Sequence, residues 1–291
     1  MATRGTKAAK PTAEAAAASN GAGTASEAVR RLTDSELAQA MALVKDADSV
    51  ELKVTVPTGS HRATIQGLGL DPVEAQPRQV YFFDTPDLML NQAGLVVRAR
   101  RIQGGRADTV IKLRPVVPAE LDPELRKLAA FNVEVDMLPG GFVCSASLKG
   151  RSTGQAVRDV VAGKAPLKDL FSTRQRAFFK EHAPAGLKLG DLVPLGPTFI
   201  LKGTMDAQIA FDPKAPPQRL VTELWLYPDG SRILELSTKC LPAQTFQVAA
   251  EARAYLAGKG IELGGAQQTK TKTALEYYAG QLKVEAATAG A

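Results

Sequence analysis

Charged residues recur in this chain two positions apart, inside segments that are otherwise apolar. Glu51 pairs in this way with Lys53, Arg98 with Arg100, Lys112 with Arg114 and Glu134 with Asp136. Glu235 and Lys239 flank Ser237, and Lys202 and Glu223 add single members. An extended strand turns residues i and i+2 to the same side, so each pair marks one face of a strand. The alternate positions are apolar: Val50, Leu52, Val54; Val97, Ala99; Ile111, Leu113; Val133, Val135; Leu224, Leu226; Leu234, Leu236. These residue types have a shared chemistry. Arginine forks grip phosphate oxygens bidentately, lysines act as point charges, and carboxylates offer the oxygen ligands that a hard divalent cation takes. The candidate anion-binding set is Lys53, Arg98, Arg100, Lys112, Arg114, Lys202 and Lys239, with Lys53 and Lys112 as the candidate catalytic cations. The candidate metal ligands are Glu51, Glu134, Asp136, Glu223 and Glu235.

Positioning these residues falls to eight segments of period-2 character: Ser49 to Val56, Gln79 to Phe83, Leu95 to Ile102, Asp108 to Pro115, Phe131 to Met137, Pro197 to Thr204, Leu220 to Tyr227 and Ser231 to Thr238. Pro228-Asp229-Gly230 joins the last two as a hairpin, since Pro presets φ and Gly tolerates positive φ. A first helix is expected over Asp34 to Lys45, with Thr33 and Glu36 as a capping box. Between about Leu138 and Asp191 a helical insertion is expected, including Gly154 to Ala162 and a helix capped by Ser172 and Gln175. Further helices are expected over Pro242 to Leu256 and Thr273 to Leu282, with Tyr277 and Tyr278 on the exterior of the sheet and Trp225 beside the hairpin.

The expected fold is α+β, an eight-stranded antiparallel closed barrel with surrounding helices. A charged strand face is ordinarily solvated. Here the apolar stripes of the helices need the apolar strand face to pack on, which turns the charged face inward. An eight-stranded closed sheet has an interior wide enough for side chains or one small ligand. Seven cations and five anions then line a tunnel. Buried charge must be paired or must hold a metal, and a lining of net +2 with a divalent cation balances a triphosphate of roughly −4. No Ser-His-Asp or Cys-His constellation is evident. Hydrolysis would rest on a metal-positioned water and electrostatic stabilisation of the departing phosphate.

The run VYFFDTPDLMLNQAGLVVRARR from Val80, with TVIKLRP at Thr109 to Pro115, VELKVTV at Val50 to Val56, and TELWLYPDG and ILELSTK near the hairpin, resembles the CYTH family of triphosphate tunnel metalloenzymes. The resemblance spans about residues 47 to 280. It implies an antiparallel tunnel that binds a triphosphate with Mg²⁺ or Mn²⁺, in a family whose members hydrolyse inorganic triphosphate or thiamine triphosphate, or cyclise ATP. It also implies that Glu51 and Lys53 are the last two positions of the ExExK pattern, that Arg98, Arg100 and Lys112 bind phosphate, and that Glu134, Asp136, Glu223 and Glu235 are the acidic positions. Lys202 stands where a basic residue is expected. Two carboxylates of the pattern are hydroxyls here, Ser49 and Ser237, while the cationic set is whole. DTPD at Asp84 to Asp87 is turn chemistry.

Composition bounds the alternatives. The first 30 residues hold eleven alanines and no Leu, Ile, Phe, Tyr or Trp, so this stretch is expected to be a disordered tail. Residues 31–283 are expected as one domain and 284–291 as a flexible tail. The net charge of +6, with aromatics at 5% and no Lys/Arg block, argues against nucleic acid. Two cysteines and two histidines leave little scope for a disulfide framework or a His-ligated zinc. No apolar run is long enough to span a membrane, and no secretory signal is evident, so a soluble cytoplasmic protein is expected. The favoured function is metal-dependent hydrolysis of a small triphosphate or phosphoanhydride. The alternatives are a non-catalytic polyphosphate or nucleotide-binding module, or an adenylate cyclase of the class IV type. Nothing in the sequence fixes the oligomeric state.

Overall fold

The computed structural model describes residues 32–263, 267 and 269–289. The tail expected over residues 1–30 lies outside them, as do residues 290 and 291. Nine strands close into a barrel: β1 (Ser49–Val56), β2 (Gln76–Asp84), β3 (Leu95–Ile102), β4 (Arg106–Leu113), β5 (Phe131–Leu138), β6 (Gly141–Thr153), β7 (Val193–Ala207), β8 (Gln218–Leu226) and β9 (Arg232–Cys240). Around the ring they run β1-β5-β6-β4-β3-β2-β7-β8-β9, with β9 paired back to β1.

The expected count of eight is thus corrected to nine, and the expected all-antiparallel sheet to a mixed one. The added strand is β6, at the start of the segment expected to be helical. Its alternation is muted because small residues fill both faces: Cys144 and Ala146 outward, Ser145 and Ser147 inward. The second correction follows from the first. A ring in which every neighbour runs antiparallel needs an even number of strands, so nine strands leave one parallel pair. That seam is β1 against β5.

Helices α1 (Asp34–Lys45), α2 (His61–Gly67), α3 (Met89–Gln92), α4 (Pro123–Arg126), α5 (Gly154–Val161), α6 (Thr173–His182), α7 (Thr245–Gly258) and α8 (Lys270–Ala289) surround the ring. Both capping boxes read from the sequence are present, Thr33 with Glu36 on α1 and Ser172 with Gln175 on α6. The hairpin between β8 and β9 turns through Gly230 at φ 81°. Helix α8 starts a turn earlier than expected and continues to Ala289, through most of the segment expected to be a flexible tail.

The apolar core sits mainly outside the barrel. Outward residues Val50, Val97, Ala99, Ile111, Val133, Val135, Ala146 and Leu148 pack against Val157 of α5 and Phe178 and Phe179 of α6. Val54, Leu220, Leu234 and Leu236 pack against Ala252 and Leu256 of α7. Each large side chain so buried contributes roughly 1.5–3 kcal/mol. These clusters occupy the apolar strand face, so the charged face is left to the interior.

A third cluster differs. Ala274 and Leu275 of α8 pack on Val80, Phe82, Ile200, Trp225 and Ile233, with Tyr278 against them. Val80, Phe82, Ile200 and Trp225 also line the interior cavity, so α8 covers inward-facing residues rather than the outer wall. Tyr278 is therefore not on the barrel exterior as expected, and its hydroxyl donates to the Pro197 carbonyl. Trp225 packs beside the hairpin as expected, against Tyr227 and Ile233, and also lines the cavity, because it shares the face of Glu223 two residues before it.

The Asp84 to Gly94 run sets the entry of β3. Asp84, buried, accepts N–H bonds from Thr85, Leu90 and Asn91 at 2.7, 2.8 and 2.9 Å, which anchors α3. Gly94 follows at φ 73°, and a Cβ there would lie 2.4 Å from the Arg114 carbonyl oxygen. The Arg114 N–H donates to the Gly94 carbonyl at 2.9 Å, tying the start of β3 to the end of β4 and so placing Arg98 and Arg114 on adjacent strands. Gly94→Ala should therefore cost about 1–3 kcal/mol in urea denaturation. An unchanged midpoint would show that this junction is not strained by a side chain.

Candidate functional site

Register carries the charged residues around the wall. At the parallel seam Ser49 lies opposite Glu134 and Glu51 opposite Asp136. On the other side of β1, Glu51 faces Lys239 and Lys53 faces Ser237. Phe82 and Val80 face Arg98 and Arg100 across β2 and β3, Arg100 faces Asp108 across β3 and β4, and Lys112 faces Ser147 across β4 and β6. Lys202, Glu223 and Glu235 run in sequence across β7, β8 and β9. All twelve residues singled out from the sequence line one cavity of about 480 Å³, within the range of small-molecule sites.

The acidic side of the cavity is centred on the seam. Glu51, Glu134 and Asp136 bring ligand oxygens within 4.8 Å of one another, a set that one cation can bridge. Lys53 Nζ lies 3.1 Å from Glu51 Oε2 and 2.9 Å from Asp136 Oδ1. Lys112 Nζ is 3.7 Å from Asp136 Oδ2, Lys239 pairs with Glu134 and reaches Glu51 at 3.8 Å, and Ser49 Oγ donates to Glu134 Oε2 at 3.2 Å. Burial alone would raise the Asp136 carboxyl, but the ammoniums of Lys53 and Lys112 outweigh it and hold it below its ordinary value. Glu51 is lowered in the same way, with burial overcome by Lys53 and Lys239. Burial disfavours the Lys53 charge, yet Asp136 and Glu51 push its pKa well above the usual lysine range. The donor set is oxygen-only and partly enclosed, which suits Mg²⁺ or Mn²⁺ in chemistry.

The basic side is less well matched. Arg100 is held by Asp108, with Nη2 and Nε at 2.6 and 3.0 Å from Oδ2. Arg98, beside it, makes no salt bridge among the described residues, and its Nε is buried without a hydrogen-bond partner. Burial and the charge of Arg100 lower its pKa to about 10. Arg114 and Lys202 also line the cavity without a salt bridge among the described residues. Burial lowers Lys202, with Arg78 adding to it. Lys112 is lowered to about 8, mainly by burial, with Lys53 adding to it against the pull of Asp136.

Two charged residues on the inward side were not foreseen. Lys270, at the start of α8, enters the cavity and bonds both Glu223 and Glu235. These two carboxylates therefore stand apart from the acidic trio, and the five expected metal ligands divide into a trio and a lysine-bound pair. Trp225 Nε1 donates to Glu223 Oε2 at 3.2 Å. The second is Arg78, which shares the inward face of Val80 and Phe82, with a pKa lowered by burial and by Arg100. Its signal was its i,i+2 spacing to Val80, hidden because β2 was expected to start at Gln79. Counting Lys270 and the exposed Lys149 and Arg219, the cavity is lined by ten cations and five carboxylates.

Removing Lys53 would leave Glu51 and Asp136 buried with too little counter-charge. Lys53→Met should cost about 3–5 kcal/mol at pH 7.5. In the wild type the lowered carboxyls add stability above their unfolded pKa that is lost as pH falls. In the variant burial dominates and the carboxyls rise, so the gap between the two proteins should narrow below about pH 5. Urea melts at both pH values check this; a gap that widens in acid would contradict the pairing.

No family model matches the sequence, and no curated protein matches it. Solved structures do match. A proposed adenylyl cyclase from Hippeastrum, described as having a dominant triphosphatase activity, is 16% identical with a TM-score of 0.53, over 76% of this chain and 92% of that one. A proposed adenylate cyclase from Bacillus halodurans is 11% identical with a TM-score of 0.53, over 78% of this chain and 97% of that one. At such identities the likeness is one of fold: the chain has a closed tunnel barrel of the kind to which its CYTH-like motifs pointed.

Proposed function

We propose that this chain binds a small triphosphate inside the barrel and hydrolyses a phosphoanhydride bond with the help of a divalent cation. The observation that carries this is the incompletely matched cationic wall, above all Arg98, whose buried Nε has no hydrogen-bond partner and which makes no salt bridge among the described residues. A desolvated cation without a counter-charge is costly, and a polyanion threaded past Arg98, Arg114 and Lys202 supplies that counter-charge. Arg98 and Arg100 grip phosphate oxygens as planar forks. Lys112, on the strand next to the β3 arginines, reaches Asp136, and Lys53 sits within the acidic trio; both would stabilise charge building on the phosphoryl group and its leaving oxygens. Glu51, Glu134 and Asp136 would hold Mg²⁺ or Mn²⁺, which, when bound, neutralises phosphate oxygens and orients a nucleophilic water. The fold neighbours, named as cyclases and in one case as a triphosphatase, are consistent with a triphosphate ligand.

A second reading has its own support. The acidic trio already faces Lys53, Lys112 and Lys239, and Ser49 and Ser237 stand where the CYTH pattern has carboxylates. A cavity so balanced suits a module that binds polyphosphate without turning it over. Phosphate release from tripolyphosphate with Mg²⁺ or Mn²⁺ separates the two. The hydrolase reading predicts metal-dependent release that Lys112→Ala abolishes. Tight binding with release no greater than in that variant would leave the module.

Protonation adds a second handle. Polyanion binding favours the charged form of Lys112, whose pKa is about 8 in the free protein. Metal-free affinity for tripolyphosphate should be flat below about pH 7 and fall by up to about tenfold per pH unit above 8. Lys112→Arg should flatten the profile in calorimetry. An affinity that rises with pH would contradict a direct contact.

A further inference from the structure

Lys270 reaches the cavity from α8, outside the strand pattern, and its partners define a closed site. Its Nζ lies 2.8 Å from Glu223 Oε2 and 2.6 Å from Glu235 Oε1, two residues opposed in register on β8 and β9. The Trp225 ring covers it, with the centroid 5.1 Å from Nζ, and the backbone carbonyl of Lys270 accepts from the Tyr227 hydroxyl at 3.0 Å. The side chain is 14% exposed, and those of Glu223 and Glu235 are 17% and 6% exposed. Glu223 and Glu235 match acidic positions of the CYTH pattern and are, on sequence, candidates for metal ligation. The residues present do not fit it: an ammonium already bridges the pair, Lys202 is the register partner of Glu223, and Ser237 offers a hydroxyl on the same face beyond Glu235. A divalent cation added there would meet two positive charges and only two carboxylates.

We infer that the ammonium of Lys270 takes the place of a divalent cation between Glu223 and Glu235, so that the chain carries one metal site fewer than its acidic residues would allow. Divalent cations are confined to the trio at the seam, where the ligands come from β1 and β5 and the lysine at Glu134, Lys239, is half exposed and free to yield. In the Lys270 pocket the indole further favours the cation. The contact also couples α8 to the chemistry of the barrel, since the helix inserts its first residue as a fixed positive charge.

This inference rests on the metal-assisted reading of the cavity, but its test reads Mn²⁺ stoichiometry alone. Mn²⁺ is titrated into the full chain at pH 7.5, followed by electron paramagnetic resonance of the free ion. Lys270→Gln should bind one equivalent more than wild type, and Lys270→Gln with Glu235→Gln should lose that equivalent. Lys270→Arg and the single Glu235→Gln should match wild type; this last variant keeps the test sound if Lys270→Gln folds poorly. Equal counts in Lys270→Gln and wild type, or a lower count in Glu235→Gln, would overturn the inference. Wild type that binds no Mn²⁺ while Lys270→Gln binds one equivalent would support it and contradict the metal-assisted function.

Discussion

The ion cluster of Glu51, Lys53 and Asp136 is the arrangement on which the interior depends. A closed sheet that turns its charged face inward removes those charges from water, at a cost of several kcal/mol per ion unless each finds a partner. Lys53 meets both carboxylates within about a hydrogen-bond length, Lys112 adds to Asp136, and Lys239 extends the chain of contacts to Glu134. With the acidic side settled in this way, and with Asp108 on Arg100 and Glu223 and Glu235 on Lys270, Arg98, Arg114 and Lys202 have no salt-bridge partner among the described residues. The interior is thereby balanced on one side and in surplus on the other, and that surplus is what a phosphate chain would answer.

Topology makes the cluster possible. An odd strand count forces one parallel seam, and the seam brings Glu51 beside Asp136 and Ser49 beside Glu134. β9, on the other flank of β1, delivers Lys239 and Ser237 to the same neighbourhood. The strand missing from an eight-stranded scheme, β6, therefore matters to the chemistry although it contributes few charges: it fills the gap between β5 and β4, and its Ser147 lies opposite Lys112. The apolar energy that holds the ring closed comes from outside, where α5, α6 and α7 cover the alternate strand face. The same alternation that turns charges inward thus supplies the surface on which the helices pack.

Much of this was legible in the sequence, for a reason rooted in periodicity. Charges at i,i+2 with apolar residues between them leave a clear two-faced signal, and the eight residues in such pairs, with the four others placed on the same strand faces, all line the cavity. β6 was hidden because Cys144, Ser145, Ala146 and Ser147 differ too little in polarity to alternate visibly. Lys270 was hidden for a different reason: it lies on a helix, so no strand period marks it, and only the packing of α8 on inward-facing Phe82 and Trp225 brings it to Glu223 and Glu235. The division of the five carboxylates into a trio and a lysine-bound pair is likewise tertiary. It depends on which acids are neighbours in register and on what the C-terminal helix inserts between them.

The central claim is that the cationic wall around Arg98 and the acidic trio form one site for a polyanion and a single divalent cation. Crystals grown with tripolyphosphate and Mn²⁺ test it most directly through the anomalous signal of manganese. The account predicts one manganese peak among Glu51, Glu134 and Asp136, with phosphate oxygens against Arg98 and Arg100. A peak between Glu223 and Glu235, or tripolyphosphate bound only outside the barrel, would contradict it.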